Sequence, residues 1–167
     1  MITTDRMAAV DANAAALGVP RKQLMESSGN AVARAVKALA DPGASVDLLC
    51  GRGNNGGDAF VAARFLSAYD VTVRLLGRPE SIRTAIAREN WEALQSVGIA
   101  TETVGDATGL TLADPDVIVD AMLGSGIAGA LREPERTAAR LANERDAAVV
   151  AVDVPSGIDA DTGEPTG

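Results

Sequence analysis

The stretch VDLLCGRGNNGGD, residues 46–58, decides how this chain folds. Its first half, 46–50, is a short and nearly continuous apolar run, which is typical of a strand buried on both faces of a parallel sheet. Its second half is rich in glycine and small polar side chains, which predicts a tight loop that leads into a helix. A strand followed by such a loop and a helix is the first unit of an alternating α/β fold.

Outward from this stretch, strand and helix patterns alternate along the chain. Two helices are expected before it, at residues 3–17, with Thr4 as N-cap and Met7, Val10 and Leu17 on one apolar side, and at about 22–40. After it we expect strands at 71–76, 99–104, 117–120 and 148–152, and helices at about 57–69, 81–97 and 134–144. The predicted fold class is α/β: a three-layer α/β/α Rossmann-like domain with a mainly parallel sheet, preceded by two N-terminal helices.

Length and composition narrow the class of protein. The 167 residues fit one domain, residues 1–167, and the formal net charge of −8 argues against a nucleic-acid partner, which would need clustered Lys and Arg. No apolar run is long enough to span a membrane, and the N-terminus lacks the pattern of a signal peptide. The only cysteine, Cys50, excludes an intramolecular disulfide and is interpreted as a core residue. Together these features predict a cytoplasmic protein.

The chain has no histidine, which limits its chemistry. Ser-His-Asp and Cys-His catalysis are excluded, and a zinc site is disfavoured. Acid–base work must fall to Asp, Glu, Lys or Tyr, or to bound water.

Three unusual polar loops follow the predicted strands, at residues 51–58, 121–134 and 153–163. Ligands of open parallel α/β sheets bind outside the carboxyl ends of the strands, so we expect the three loops to converge on one site. The first loop contains G-x-G-x-x-G, a phosphate-binding pattern that is weak on its own. The acidic residue that usually holds the adenosine ribose is missing, because the second strand ends Leu75-Leu76-Gly77-Arg78.

Each loop also has a purely structural interpretation. Asn54, Asn55 and Asp58 could form a turn or cap a helix. Asp120 needs a partner at the strand end, while Gly124-Ser125-Gly126 could be an anion cradle or a plain strand-to-helix turn. Asp153 could act as a general acid or base, or as a cap for loop amides. Ser156 is interpreted as an oxygen donor. Together with Asn55 and Asp120, Ser156 offers hard oxygen ligands for an alkali or alkaline-earth cation.

Four segments together resemble the YjeF N-terminal domain family, the NAD(P)H-hydrate epimerases. They are LMESSGNAVARAV (24–36), GRGNNGGDAFVAARFL (51–66), VDAMLGSGIAGALREP (119–134) and AVDVPSGIDADTGEP (151–165). Their order and spacing match the family over essentially the whole chain. Two departures stand out: Ser27-Ser28 within a segment that often reads LMENAG, and an expected continuation of the domain beyond residue 167.

The resemblance assigns site residues position by position. It implies a substrate loop at Asn54, Asn55, Gly56, Gly57 and Asp58, a second one at Gly124, Ser125, Gly126, Ile127, Ala128, Gly129 and Ala130, and a substrate-contacting catalytic acid/base at Asp153. It also implies a K⁺ site, one per subunit, at Asn55, Asp120 and Ser156.

The activity that the resemblance implies is a repair reaction, in which the nucleotide is the substrate and no hydride is transferred. The R and S hydrates of NADH and NADPH, called NAD(P)HX, are interconverted so that an S-specific, ATP- or ADP-dependent dehydratase can restore the coenzyme. That dehydratase can be fused to the epimerase, and a homodimer is expected. The alternatives are a non-catalytic scaffold for dimerisation or nucleotide binding, as in RNA-decapping factors, and an NAD(P)-dependent dehydrogenase, which the missing ribose carboxylate disfavours.

Overall fold

The structure is a computed structural model that describes residues 3–125 and 129–166. The strands within these ranges are β1 (Ser45–Cys50), β2 (Asp70–Leu75), β3 (Ala100–Thr103), β4 (Val117–Ala121) and β5 (Ala148–Ala151). The α-helices are α1 (Thr4–Ala16), α2 (Arg21–Leu39), α3 (Asn54–Arg64), α4 (Ala85–Val97) and α5 (Glu135–Asn143), and Pro79–Ser81 form a short 3-10 turn.

The five strands form one sheet in the order β3-β2-β1-β4-β5, and each neighbouring pair is parallel. β1 is central, with Val46 in register with Val71 of β2 on one side and Val117 of β4 on the other. The order of the strands reverses between β1 and β4, which is where ligands of open α/β sheets bind. The topology confirms the predicted α/β class and places the loops after β1, β4 and β5 at one edge.

Two aliphatic cores cover the two faces of the sheet. Successive side chains of β1 point to opposite faces of the sheet. Leu48 and Cys50 face the core under α2, α3 and α4, whereas Leu49 faces the core under α5. Phe60 and Trp91 strengthen the first core with an edge-to-face ring contact at 5.3 Å between centroids. The predicted three-layer arrangement is therefore confirmed. Cys50 is fully buried, as interpreted from the sequence, and burial raises the pKa of its thiol.

The first helix differs from its prediction in two respects. Its N-cap is Thr3, not Thr4, since the Thr3 hydroxyl accepts a hydrogen bond from the Arg6 N–H while Thr4 is the first helical residue. No residue of α1 is buried, and the predicted apolar side, Met7 and Val10 with Leu17 just beyond the helix, faces outward.

The largest error in the predicted boundaries concerns α3, which begins at Asn54 rather than 57 and ends at Arg64 rather than 69. Gly56 and Gly57 indicated a loop, but both lie inside the first turns of the helix. A β-carbon on Gly56 would lie 2.0 Å from the Gly51 carbonyl oxygen, so glycine serves a close approach here and not flexibility. Similarly, α4 begins at Ala85 rather than 81, because Thr84 caps it after the separate 3-10 turn.

Among the residues that the structure describes, no helix is both long and apolar enough to cross a membrane.

Candidate functional site

The side chain of Asn55 joins the three loops that the sequence predicted to converge. It lies in the first turn of α3, and its Nδ2 donates one hydrogen bond to the carbonyl oxygen of Leu123 at 3.0 Å and another to that of Val152 at 2.8 Å. Leu123 follows β4 and Val152 follows β5. One amide group therefore holds the carboxyl ends of three neighbouring strands together, which confirms the predicted convergence.

Asp120 and Ser156 form a second link between the loops after β4 and β5. The Ser156 hydroxyl donates to Asp120 Oδ1 at 2.6 Å, and the Ser156 N–H donates to Oδ2 at 2.8 Å. The same hydroxyl accepts from the Leu123 N–H at 3.0 Å. Asp120 is only 9% exposed, so this buried carboxylate has the partners that its burial requires. Ser156 acts as a donor and acceptor of hydrogen bonds, and its role as an oxygen ligand stays a prediction.

Asp153 follows β5 with an exposed side chain and an unusual backbone. Its φ of 67° lies in the left-handed region, and no other non-glycine residue of the described ranges has a positive φ. Its Oδ2 accepts a hydrogen bond from the Ser125 N–H at 2.7 Å, so the carboxylate binds a loop amide, which was one of its two predicted roles. Strained residues concentrate at functional sites because the surrounding structure must hold them there.

Gly124 brings Asn55 and Asp153 close together. A β-carbon at Gly124 would lie 2.6 Å from Asn55 Oδ1 and 2.8 Å from Asp153 Oδ2. Any side chain at this position would push one of the two oxygen atoms away. The absence of a side chain therefore lets an amide oxygen and a carboxylate oxygen lie close together beside the backbone of Gly124.

The remaining residues of the first loop extend the site along α3. Neither Asn54 nor Asn55 caps the helix; Gly53 is the N-cap, without a side-chain hydrogen bond. Asn54 is exposed, and its Oδ1 accepts from the Thr84 hydroxyl at 3.0 Å. Asp58 is partly buried, which raises its pKa to about 7; a hydrogen bond from Ser28 opposes the rise.

The second substrate loop is only partly within the described residues. Gly124 and Ser125 contribute as above, and Gly129 and Ala130 are exposed. The predictions for Gly126, Ile127 and Ala128 lie outside the described residues. A small depression opens between this loop and the loop after β5; it is lined by Leu123, Gly124, Gly129, Val154, Pro155, Ser156, Gly157, Ile158 and Thr166.

The atoms at the junction of the loops that could bind a cation are oxygens. The Asn55 amide, the Asp120 carboxylate, the Ser156 hydroxyl and the carbonyls of Leu123 and Val152 are linked by the contacts given above. Such a set suits a hard, weakly charged cation and not zinc. Within residues 3–125 and 129–166, no three Asp, Glu or Cys side chains form a group that could hold a metal ion by themselves.

Sequence reasoning missed three contributors to the site. Thr84 contacts Asn54, and its position before an apolar helical pattern could have identified it as an N-cap residue. The carbonyl groups of Leu123 and Val152 hold Asn55, but a backbone carbonyl has no signature in the sequence.

The chain is similar to known proteins over most of its length. The model of the family described as YjeF-related protein N-terminus matches residues 21–167. A protein from Nitrosopumilus maritimus named NAD(P)H-hydrate epimerase is 42% identical over 170 residues, which cover 98% of this chain and 77% of that protein. A protein from Methanothermobacter thermautotrophicus named bifunctional NAD(P)H-hydrate repair enzyme is 45% identical over 164 residues.

Coverage of these relatives is unequal. The chain spans only 31% of the length of the Methanothermobacter protein, although the match includes 94% of the chain. Among solved structures, the crystal structure of the yeast protein ynu0 is similar, with a TM-score of 0.77 and 28% sequence identity; the match covers 95% of this chain and 72% of the yeast chain.

Proposed function

Because the chain belongs to the family of YjeF-related protein N-termini, we propose that it is an isomerase that interconverts the R and S forms of NAD(P)HX. The nucleotide is then the substrate, and the reaction is a step in the repair of damaged nicotinamide coenzymes. The Nitrosopumilus relative named as an epimerase supports this proposal, since the chain aligns with most of its length.

The observation that carries the proposal is the junction of Asn55, Gly124 and Asp153. It brings a carboxylate and an amide oxygen together beside Gly124 and the Ser125 N–H, at the switch point of the sheet. An isomerisation at one hydroxylated carbon requires an acid–base group, and the carboxylate of Asp153 supplies one. It also requires polar groups that orient the nucleotide.

In this proposal Asp153 exchanges a proton with the nicotinamide ring. Its carboxylic acid gives a proton to the C6 hydroxyl as that group leaves as water, and the carboxylate takes a proton back when water adds to the other face. Alternatively, the same group transfers the proton as the ring opens and recloses. The Ser125 N–H, bonded to Oδ2, holds the carboxyl group in place for either route.

We propose further that Asn55, Asp120 and Ser156 hold K⁺. The oxygen-rich junction of these side chains supports this, because oxygen ligands suit a hard, weakly charged cation. When bound, K⁺ supplies positive charge that stabilises the loop junction and attracts the phosphates of the nucleotide. The protein residues keep their own tasks: Asn55 joins the loops, and Ser156 orients Asp120.

The assay that tests the function couples the chain to a dehydratase. R-NADHX is mixed with the protein, K⁺ and an excess of an S-specific dehydratase with its nucleotide, and the recovery of NADH absorbance is followed. The protein is compared with Asp153→Asn, which retains an oxygen to accept from Ser125 and a residue type that tolerates a left-handed backbone. Asp153→Ala and a protein-free blank are run in parallel.

We expect the protein to exceed the blank and Asp153→Asn to lose at least about 10²-fold in rate, since general acid–base groups contribute factors of this order. Thermal unfolding of the variant should match that of the parent chain. Recovery no faster than the blank would reject the epimerase and favour a non-catalytic scaffold. Full activity of Asp153→Asn would leave the epimerase standing and reject Asp153 as its acid/base.

The partner enzyme, the oligomeric state and the cellular location belong to the same proposal. A dehydratase that uses ATP or ADP would consume the S hydrate, whether separate or fused, and two copies of the chain would form a homodimer. The names of the bifunctional relatives support a partner activity. A cytoplasmic location is supported by the single, buried cysteine, because cytosolic chains have little use for disulfides.

A further inference from the structure

Three arginines lie around the carboxyl ends of β1 and β2, beside the proposed site. The Arg83 N–H donates to the Arg52 carbonyl at 2.8 Å, which joins the segment after β2 to the loop after β1. Arg78 is the N-cap of the 3-10 turn, where its carbonyl accepts from the Ser81 hydroxyl at 2.6 Å. The three side chains therefore start from one small region of the surface, which we call the arginine cluster (Arg52, Arg78 and Arg83).

Gly77 shapes this cluster. Its φ is 140°, and a β-carbon there would lie 2.6 Å from Arg52 Cδ and 3.1 Å from Arg52 Cγ. Glycine thus lets the stem of Arg52 lie directly across the end of β2. The residue that usually follows the second strand of a dinucleotide-binding fold is replaced here by a glycine and an arginine.

The charge of the cluster is only partly compensated. Arg52 has Glu135 at 3.6 Å, whereas neither Arg78 nor Arg83 has a carboxylate within 4.0 Å among residues 3–125 and 129–166. Both side chains are exposed. A fourth guanidinium is close, since Arg88 Nη2 donates to the Ile82 carbonyl at 2.8 Å. In a chain with a net charge of −8, such a local excess of positive charge requires an explanation.

The strand order relates the cluster to Asp153. β5, β4, β1 and β2 are consecutive in the sheet, so the end of β5 and the end of β2 are three strand spacings apart, about 14 Å. A dinucleotide that places its nicotinamide at Asp153 and its phosphates over the loops of β4 and β1 then places its adenosine beyond β2. That is where the arginine cluster lies.

Chemistry indicates which adenosine fits. In dinucleotide-binding folds, an acidic residue near the end of the second strand bonds the ribose 2′-hydroxyl, whereas an arginine accommodates a 2′-phosphate. A carboxylate there would repel the phosphate, and guanidinium groups bind phosphate oxygens in pairs. We propose that the arginine cluster is a subsite for the 2′-phosphate of the substrate, so that the chain prefers NADPHX to NADHX. This inference rests on the proposed function.

The direct test measures binding, independently of any reaction. Isothermal titration compares adenosine 2′,5′-bisphosphate with adenosine 5′-monophosphate, two probes that differ only in the 2′-phosphate. Arg78→Gln and Arg83→Gln are compared with Arg34→Gln, which removes the same charge from an exposed position on α2. We expect the bisphosphate to bind about tenfold or more tightly, and each cluster variant to lose about tenfold of that preference. Arg34→Gln should retain it.

The kinetic test compares kcat/KM for R-NADPHX and R-NADHX in the coupled assay. Arg78→Asp supplies the missing carboxylate, so its preference should reverse towards NADHX, while Arg78→Lys should retain part of the original preference. A structural role would lower both rates equally and leave their ratio unchanged.

The outcomes separate the two proposals. Epimerase activity with equal kcat/KM for both hydrates would overturn the subsite and leave the function intact. The chain could bind the bisphosphate more tightly, lose this preference in the cluster variants, and show no epimerase activity. That result would support the subsite and reject the function. Equal binding of the two probes, or displacement of the bisphosphate by inorganic phosphate at similar concentration, would overturn the subsite.

Discussion

Asp58 lies one turn beyond Asn54 on α3, where its carboxyl group is partly withdrawn from water. Burial raises its pKa to about 7, against the hydrogen bond from Ser28, and the carboxylates of Asp153 and Asp11 raise it further. The unfolded chain has the ordinary value of 3.8. Between these two values the folded protein holds a proton that the unfolded chain lacks, so the contribution of Asp58 to stability falls as pH rises and levels off above about 7.

Asp58→Asn should remove this dependence, because an amide keeps the shape and carries no charge. Relative to the parent chain, the variant should gain about 1–2 kcal/mol of unfolding free energy between pH 5 and pH 8, a value that allows for partial exposure. Thermal unfolding at the two pH values measures the gain, at about 2–4 °C per kcal/mol. A difference in Tm that is the same at both pH values would contradict the raised pKa.

Ser156 supplies both a donor and an acceptor at the loop junction. Ser156→Ala leaves the Leu123 N–H without its partner and removes one hydrogen bond from the buried Asp120, which should cost about 1–3 kcal/mol. If K⁺ binds here, KCl should raise the Tm of the parent chain more than NaCl at equal ionic strength, and the variant should lose that excess. An identical response of the parent chain to both salts would reject the K⁺ site.

At the scale of elements, the loop that leads into α3 contains glycines that differ in the space around them. A β-carbon at Gly51 would lie 1.8 Å from the Met122 carbonyl oxygen, which is backbone and cannot rotate away. Gly53, two residues later, would meet nothing within 4 Å. The loop thus contains one glycine that the close approach of two strand ends requires and one that it does not.

Gly51→Ala should therefore cost about 3 kcal/mol or more, because the ends of β1 and β4 must separate. The matched variant Gly53→Ala should cost no more than about 1 kcal/mol, the usual range for an N-cap position. Chemical denaturation of both variants measures the difference. Similar midpoints for the two would show that the loop adapts.

The elements also show what sequence patterns can and cannot predict. β1 was predicted within one residue, since an unbroken apolar run leaves few alternatives to a strand buried on both faces. α3 was predicted three residues too late, because its glycines lower helix propensity while the contacts with Gly51 and Met25 that compensate are tertiary. The convergence of the loops followed from parallel topology, but the carbonyl partners of Asn55 could not be predicted from residue types.

At the scale of the whole molecule, hydrogen bonds connect the start of α1 to Asp161, in the loop after β5. The carboxylate of Asp161 accepts from the Thr4 N–H at 2.9 Å and from the Thr4 hydroxyl at 3.1 Å. It thereby satisfies a free N–H of the first helical turn and complements the positive end of the helix dipole. Since no residue of α1 is buried, such polar contacts carry much of the attachment of this helix.

Asp161→Ala should loosen α1 without unfolding the domain. Amide hydrogen exchange in residues 4–16 should accelerate about tenfold, which corresponds to about 1.4 kcal/mol of local stability, while the global Tm stays nearly constant. Asp114→Ala, which removes an exposed carboxylate paired with Arg145, is the control and should leave α1 unchanged. A large fall in Tm for Asp161→Ala would instead make α1 part of the cooperative core.

The hydrogen bonds of Asn55 also bear on how the protein is made. Its two partners follow it by 68 and 97 residues, so a nascent chain leaves the ribosome with β1 and α3 long before their counterparts exist. The loop junction can close only after β4 and then β5 have docked beside β1. A ligand held at that junction therefore stabilises finished molecules alone, and its cellular concentration would set how many newly made chains survive proteolysis.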